Sequence, residues 1–245
     1  AGGVLFNFIF AIIMYISLLA GWGESYIRNE GNNIYVNDLA YEMGFRNGDH
    51  SISFDEYIPD EFAMLQADLA RQTARKATVL RKGDTLDIYI DHRMIGEVLQ
   101  SPGMFDLARE FVVQQVAEES PNASAGLQQE DRIVSINGEE VPYLQDAWKV
   151  LETHKNEAVE ASVIRNSDTL SMMLQVDSAG RIGVYLAAPE ITTKEYSVAQ
   201  AIPAGFKKTF STIGEYLQDL KLVATPSTEA YKSVGSFIAI GQIFP

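Results

Sequence analysis

The chain has 245 residues, 19 Lys+Arg against 33 Asp+Glu for a formal net charge of -14, and no cysteine. An acidic balance leaves no basic surplus to meet phosphates, which argues against nucleic acid as a partner. Without cysteine there are no disulfides and no thiolate metal sites, and the length suits one large domain or two of ordinary size.

From the N-terminus, Val4 to Ala20 is almost unbroken apolar, interrupted by Asn7 and Ser17. With the glycines before it, the run reaches about 20 residues, enough to cross a bilayer core of ~30 Å. No basic segment precedes it, as a signal peptide would need, and it has no polar face, as a core helix would. Residues 1–22 are therefore expected as a transmembrane helix in contact with the lipid bilayer, with Trp22 at the interface. Asn7 inside that run has two readings. It faces protein or water as a functional amide, or it snorkels near the helix end.

Residues 33–110 read as one unit. Ile34 to Val36 is a short strand, Asp38 to Gly44 a helical turn closed by glycine, and His50 to Phe54 a strand. Pro59 to Arg75 is expected as a helix, with Pro59 in its first turn and Phe62, Leu65 and Leu69 on one face. Ala77 to Arg81 and Asp84 to Ile90 form a hairpin around Lys82-Gly83.

Residues 111–190 repeat this plan. Phe111 to Val116 is a strand. Ser120 to Gly126 is a short helical turn with Ser120 as cap, and Arg132 to Ile136 a strand ended by Asn137-Gly138. Tyr143 to His154 is a helix with Leu144, Ala147, Trp148 and Leu151 on one face. Val159 to Arg165 and Thr169 to Val176 pair around Asn166-Ser167-Asp168. Gly44 answers Gly126 and Asp49 answers Asp131 at a spacing of 82 residues, and Arg81 answers Arg165 at 84. A repeat of this length signals two domains of one fold. Asn122-Ala123-Ser124 is a formal glycosylation sequon, read here as part of the turn.

Further on, residues 195–224 carry Ala201, Phe206, Phe210, Ile213, Leu217, Leu220 and Leu222 at helical spacing, broken near Pro203. They are expected as an amphipathic helix, either on a membrane surface or packed on the preceding domains. Residues 233–245 are apolar and short, and read as the start of a return to the membrane.

The run from Ser120 to Gly138 resembles the centre of a PDZ domain of the bacterial protease type. Such a domain holds a peptide carboxylate on the N–H groups of a loop and pairs the peptide with the strand that follows. Here that element falls after each hairpin, at Gly103 to Leu107 and at Arg181 to Leu186. The resulting expectation is an α+β fold of two circularly permuted PDZ domains in tandem, preceded by one transmembrane helix and followed by an amphipathic helix. Ile182, Gly183, Val184 and Tyr185, with Leu144, Ala147, Trp148 and Leu151, form the candidate peptide groove. For the helix residues, plain core packing is the alternative.

A permuted PDZ tandem directly after an apolar helix resembles the site-2 protease family of intramembrane zinc metalloproteases, in its regulator-of-sigma-E protease form. Gly3-Val4-Leu5-Phe6-Asn7 matches the family's Gly-x-x-x-Asn pattern in its second membrane helix. Gly205 to Leu222 is similar to the external helix that leads back to the membrane, and Gly235-Ser236-Phe237-Ile238 stands where the family has Gly-Pro-apolar, without the proline.

The resemblance implies Gly3 and Asn7 as substrate-positioning residues, zinc in the parent protein and a bacterial inner-membrane location. It places residues 23–230 on the periplasmic side. It also implies a role in gating pre-trimmed single-pass membrane substrates, such as an anti-sigma factor, towards the active site. The family's zinc ligands come from His-Glu-x-x-His and from a later aspartate. His50, His92 and His154 have no neighbour at that spacing, so no catalytic or metal residue is expected in this chain and none of the chemistry on its own. Two other readings are a membrane-anchored PDZ scaffold or adaptor, and the C-terminal part of an HtrA-like serine protease.

Overall fold

The structure is a computed structural model that describes residues 2–230. It divides into two compact units. One runs through Asp106 and resumes at Glu190, and the other is Leu107–Pro189. The segment 233–245, with Gly235 to Ile238, lies outside the described residues.

In the first unit, the helix α1 (Gly2–Trp22) leads to strands β1 (Glu24–Tyr26) and β2 (Ile34–Val36), helix α2 (Asp38–Met43) and strand β3 (His50–Phe54). A 3-10 turn at Phe62–Met64 opens α3 (Leu65–Arg71), and β4 (Lys76–Arg81) and β5 (Asp84–Tyr89) follow. A second 3-10 turn opens α4 (Ile95–Gln100), before β6 (Phe105–Leu107). The second unit holds β7 (Phe111–Val116), β8 (Arg132–Ile136), β9 (Glu139–Glu140), α5 (Leu144–Thr153), β10 (Ala158–Arg165), β11 (Asp168–Gln175) and β12 (Val184–Leu186). The chain then returns to the first unit with β13 (Thr192–Lys194) and α6 (Val198–Ala224).

Local chemistry explains most of these elements. The β4–β5 hairpin turns where Lys82 and Gly83 both take positive φ, and β10–β11 turns at Asn166 and Ser167 in the same way. Asn37 caps α2 by accepting from Ala40 N–H, and Gly44 closes it at φ 107°. In the second unit, the sheet order is β11-β10-β8-β7-β12, with β9 beside β8. Val113, Ile133, Ile136, Val163 and Leu174 meet Leu144, Ala147 and Leu151 of α5 in one apolar core. In the first unit Phe45, Phe54, Leu65, Leu69 and Met104 are fully buried.

Four expectations are corrected in detail. The helix after Pro59 starts only at Phe62 and ends at Arg71. Residues before it are held extended, with Asn29 N–H donating to Asp60 O at 2.6 Å and Phe62 N–H to Ile27 O at 2.9 Å. Ser120 to Gly126 forms consecutive turns instead of a helix, although Gly126 does take φ 90°. The last helix runs unbroken through Pro203, which lies near its N-terminus and removes one backbone donor. That helix, α6, belongs to the first unit and packs on α1 and α3.

The α1–α6 contact is close. A Cβ on Gly205 would stand 2.9 Å from Ile16 N. Phe8 meets Phe210 edge-on at 5.6 Å, and Lys208 Nζ reaches Glu24 at 2.7 Å. That hydrogen bond from Lys208 holds the Glu24 carboxyl below its usual range against the opposing effect of burial. Arg71 of α3 donates to both oxygens of Asp219, at 2.8 and 3.1 Å.

Candidate peptide groove

In the second unit, β12 ends the sheet. It pairs with β7 alone, Val184 opposite Val116 and Tyr185 opposite Gln115. Its outer edge has no strand partner among the described residues, and an unpaired edge is what an extended peptide adds to.

The loop before β12 is built by side chains from the Ser120 turn. Ser120 Oγ donates to Ile182 O at 3.1 Å, and Asn122 Nδ2 to the same oxygen at 2.9 Å. Asn122 also donates to Gln175 O and accepts from Gln175 N–H, at 2.8 and 2.7 Å. Asn122 is only 2% exposed, so the sequon asparagine is a buried brace between β11 and the loop. Asp177 supports the other end, accepting from the N–H groups of Ala179 and Arg181. Gly183 takes φ +66°, and a Cβ there would collide with Ser120 Oγ. The Gly183 C=O accepts from Ala117 N–H at 3.0 Å, while its own N–H donates to nothing among the described residues.

The predicted groove residues separate into two sets. Trp148 and Tyr185 are 41% and 61% exposed, and the Arg181 guanidinium lies 6.0 Å from the Trp148 ring centre. Val184 is half-buried. Leu144, Ala147 and Leu151 are in the core, as is Ile182, and they offer no surface to a peptide. Three of the four helix positions are thus packing residues. Ser120, Asn122 and Arg181 shape the loop, and the sequence does not mark them as groove residues. Only the Ser-Pro-Asn start of the turn hinted at two of them.

The Ser120 turn is itself tied to β10 by an ion pair. Arg165 Nε and Nη2 donate to the two oxygens of Asp131 at 2.7 Å each, and Nη2 also reaches Gly126 O at 2.7 Å. Asp131 is fully buried. Burial alone would raise its carboxyl, but the Arg165 guanidinium and the Gln128 N–H outweigh that and hold it below the usual range. The first unit repeats the arrangement. Arg81 donates to both oxygens of Asp49 at 2.7 and 2.8 Å, and to Gly44 O at 2.8 Å.

Gly3 and Asn7 lie on the exposed surface of α1, and nothing else in the described chain approaches within 4 Å of a Cβ on Gly3. A zinc ion does not fit the residues present. His50 Nδ1 is within 2.7 Å of Asn32 O and His154 Nδ1 within 2.9 Å of Val150 O, on separate elements. Among the described residues, no three His, Asp or Glu side chains converge on a point that could hold a metal.

Residues 93–176 match the family model described as PDZ domain, and they follow one long apolar N-terminal helix. Over 97% of its length it is 25% identical to a protein of Borreliella burgdorferi named "Putative zinc metalloprotease". The resemblance to the PDZ-bearing region of a site-2-type protease rests on these two matches together. The chain spans 55% of the length of that relative. Among solved structures, the PDZ domain of the SdrC-like protein from Listeria monocytogenes is 20% identical, covering 31% of this chain and 86% of its own, at a TM-score of 0.28. A solution structure from Geobacillus thermodenitrificans is 21% identical, covering 28% and 79%, at a TM-score of 0.25.

Proposed function

We propose that this chain is the access-controlling PDZ region of an intramembrane zinc metalloendopeptidase. In this reading α1 crosses the inner membrane and residues 23–230 stand on its periplasmic side. Two permuted PDZ domains in tandem restrict what reaches the active site, so that single-pass membrane substrates are admitted after an earlier cut has removed their bulk. The observation that carries the reading is the likeness to a zinc metalloprotease over nearly the whole chain, PDZ segment included.

Several features support it. The Arg81–Asp49–Gly44 and Arg165–Asp131–Gly126 constellations are the same hydrogen-bond set built twice. The pairing of β12 with β7 supports the permuted order, since the loop and its strand come from the C-terminal end of the unit. Away from α6, α1 exposes large apolar side chains between Val4 and Leu18, and Trp22 is 79% exposed at its end. On α6, Ile202, Phe206, Phe210, Ile213, Leu217 and Leu220 are exposed, while Lys208 and Asp219 turn to partners in the same unit. An exposed apolar stripe beside an apolar helix suits a helix lying on the membrane surface. The free Gly183 N–H and the open edge of β12 suit the C-terminus of a trimmed substrate.

In this reading the zinc ligands belong to parts of the parent protein other than this chain, which spans 55% of its relative, and a zinc ion held there would supply the activated water for peptide hydrolysis. The test is cleavage of a trimmed, single-pass substrate by the complete protein in membranes, with and without a zinc chelator. Chelator-sensitive cleavage within the membrane segment is the expected result. Peptide binding with no cleavage at all would favour the membrane-anchored scaffold instead.

A further inference from the structure

The loop of the first unit that corresponds to Ile182-Gly183-Val184 is Gly103-Met104-Phe105. The correspondence is structural. Asn37 N–H donates to Met104 O at 3.3 Å, as Ala117 N–H donates to Gly183 O at 3.0 Å. The two N–H groups that should meet a peptide carboxylate are therefore those of Met104 and Gly183.

They are in different states. Gly183 N–H has no partner among the described residues, whereas Met104 N–H donates to Gln66 Oε1 at 3.1 Å. Gln66 lies on α3, and at the 82-residue spacing relating Gly44 to Gly126 its place is taken by Trp148 on α5. Its amide is held from both ends. Nε2 donates to Val98 O at 2.6 Å and to Ser101 O at 2.7 Å. Val98 O sits in the last turn of α4, where the residue four further on is Pro102, which has no N–H to give it. The helix that ends at Gln100 thus supplies the orphaned carbonyl that fixes Gln66 against the loop. No helix stands between β11 and β12 in the second unit.

We propose that Gln66 is a built-in cap on the first unit's loop. Its side-chain carbonyl takes the position of a peptide carboxylate oxygen, so the first PDZ-like unit is closed to peptide termini and only the second reads them. This rests on the reading of both loops as PDZ carboxylate loops. A side-chain amide suits the role, because its oxygen accepts as a carboxylate oxygen does while its nitrogen satisfies two carbonyls a carboxylate would repel. In this arrangement the first unit is a spacer fixed in one state, and substrate recognition is confined to the Gly183 loop.

The test uses the whole chain in lipid nanodiscs and a short labelled peptide ending in a free valine carboxylate, with its C-terminal amide as control. Wild type binds one peptide per chain. Gly183→Val, which drives a side chain into Ser120, binds none. Adding Gln66→Met to Gly183→Val restores one site that the amidated peptide does not fill. Hydrogen exchange at Met104 N–H becomes about tenfold faster in Gln66→Met than in wild type. Gln66→Asn, one methylene shorter and unable to reach Met104, is the second variant should the first fold poorly.

The proposal is overturned if Gly183→Val alone still binds the free carboxylate, or if both folded Gln66 variants in that background bind none. A wild type that binds nothing, beside a Gln66 variant that does, would sink the peptide-reading role of the second unit and leave the cap standing.

Discussion

Arg165 and Asp131 form a two-point ion pair in which the carboxylate is entirely buried and both hydrogen bonds measure 2.7 Å. The third Arg165 bond, to Gly126 O, ties the end of β10 to the glycine that closes the Ser120 turn. Removing the arginine strands a charge in the interior. Arg165→Ala should destabilise the second unit by about 3–5 kcal/mol, and Arg165→Lys should recover less than half, since an ammonium cannot fork across both oxygens and the carbonyl. Urea unfolding followed by Trp148 fluorescence, in a Trp22→Phe background, measures it.

The same pair sets a pH dependence. The Asp131 carboxyl titrates below its unfolded value of about 3.9, so its contribution is present above that value and is lost as pH falls through the folded one. The urea midpoint of the second unit should therefore begin to fall as pH drops towards about 4 and go on falling through the lower folded value of Asp131, approaching that of Asp131→Asn. Asp131→Asn itself should be weaker at pH 7 and show a flatter acid limb.

Asp68 has the opposite sign. Burial raises its carboxyl, against the hydrogen bond from Tyr57 OH at 3.1 Å, and burial also pushes the Tyr57 hydroxyl up to about 12. A group raised in the fold costs stability where it is ionised, above its folded value, and that cost is relieved on acidification. Asp68→Asn keeps an acceptor for Tyr57 and should raise the melting temperature of the first unit at pH 7. A fall at pH 7 would show that the ionised form is favoured there.

Asn122 carries the loop of the candidate groove. Asn122→Ala would leave Gln175 N–H and Gln175 C=O without their partner, and Ile182 C=O with Ser120 alone, at about 1–3 kcal/mol for each buried group left unmet. Peptide affinity should fall with stability. Asn122→Asp keeps the bond from Gln175 N–H but sets a buried carboxylate against two carbonyls, so at neutral pH its urea midpoint should fall at least as far as that of alanine.

Much of the fold was legible because single residues decide it. Gly44 and Gly126 mark left-handed turns, Lys82-Gly83 and Asn166-Ser167 mark hairpins, and Arg81 and Arg165 fall on their aspartates as the repeat spacing implies. What escaped were features set by distant partners. Pro59 suits a first helical turn, yet the residues around it are drawn into pairing with Ile27 to Asn29. The apolar positions Leu144, Ala147 and Leu151 carry the same spacing whether they face a groove or a core, and the core takes them. Gln66 is a polar residue in a helix, and its role as a cap depends on Pro102 and on a loop some forty residues on.

The central claim is control of access, and it is tested most directly in the complete enzyme by deleting residues 33–190 and measuring cleavage of a substrate whose external domain has not been trimmed. The account predicts that this substrate, refused by the intact enzyme, is cut by the deletion variant at a rate near that of the trimmed form. Unchanged refusal by a deletion variant that still cuts the trimmed substrate would contradict it.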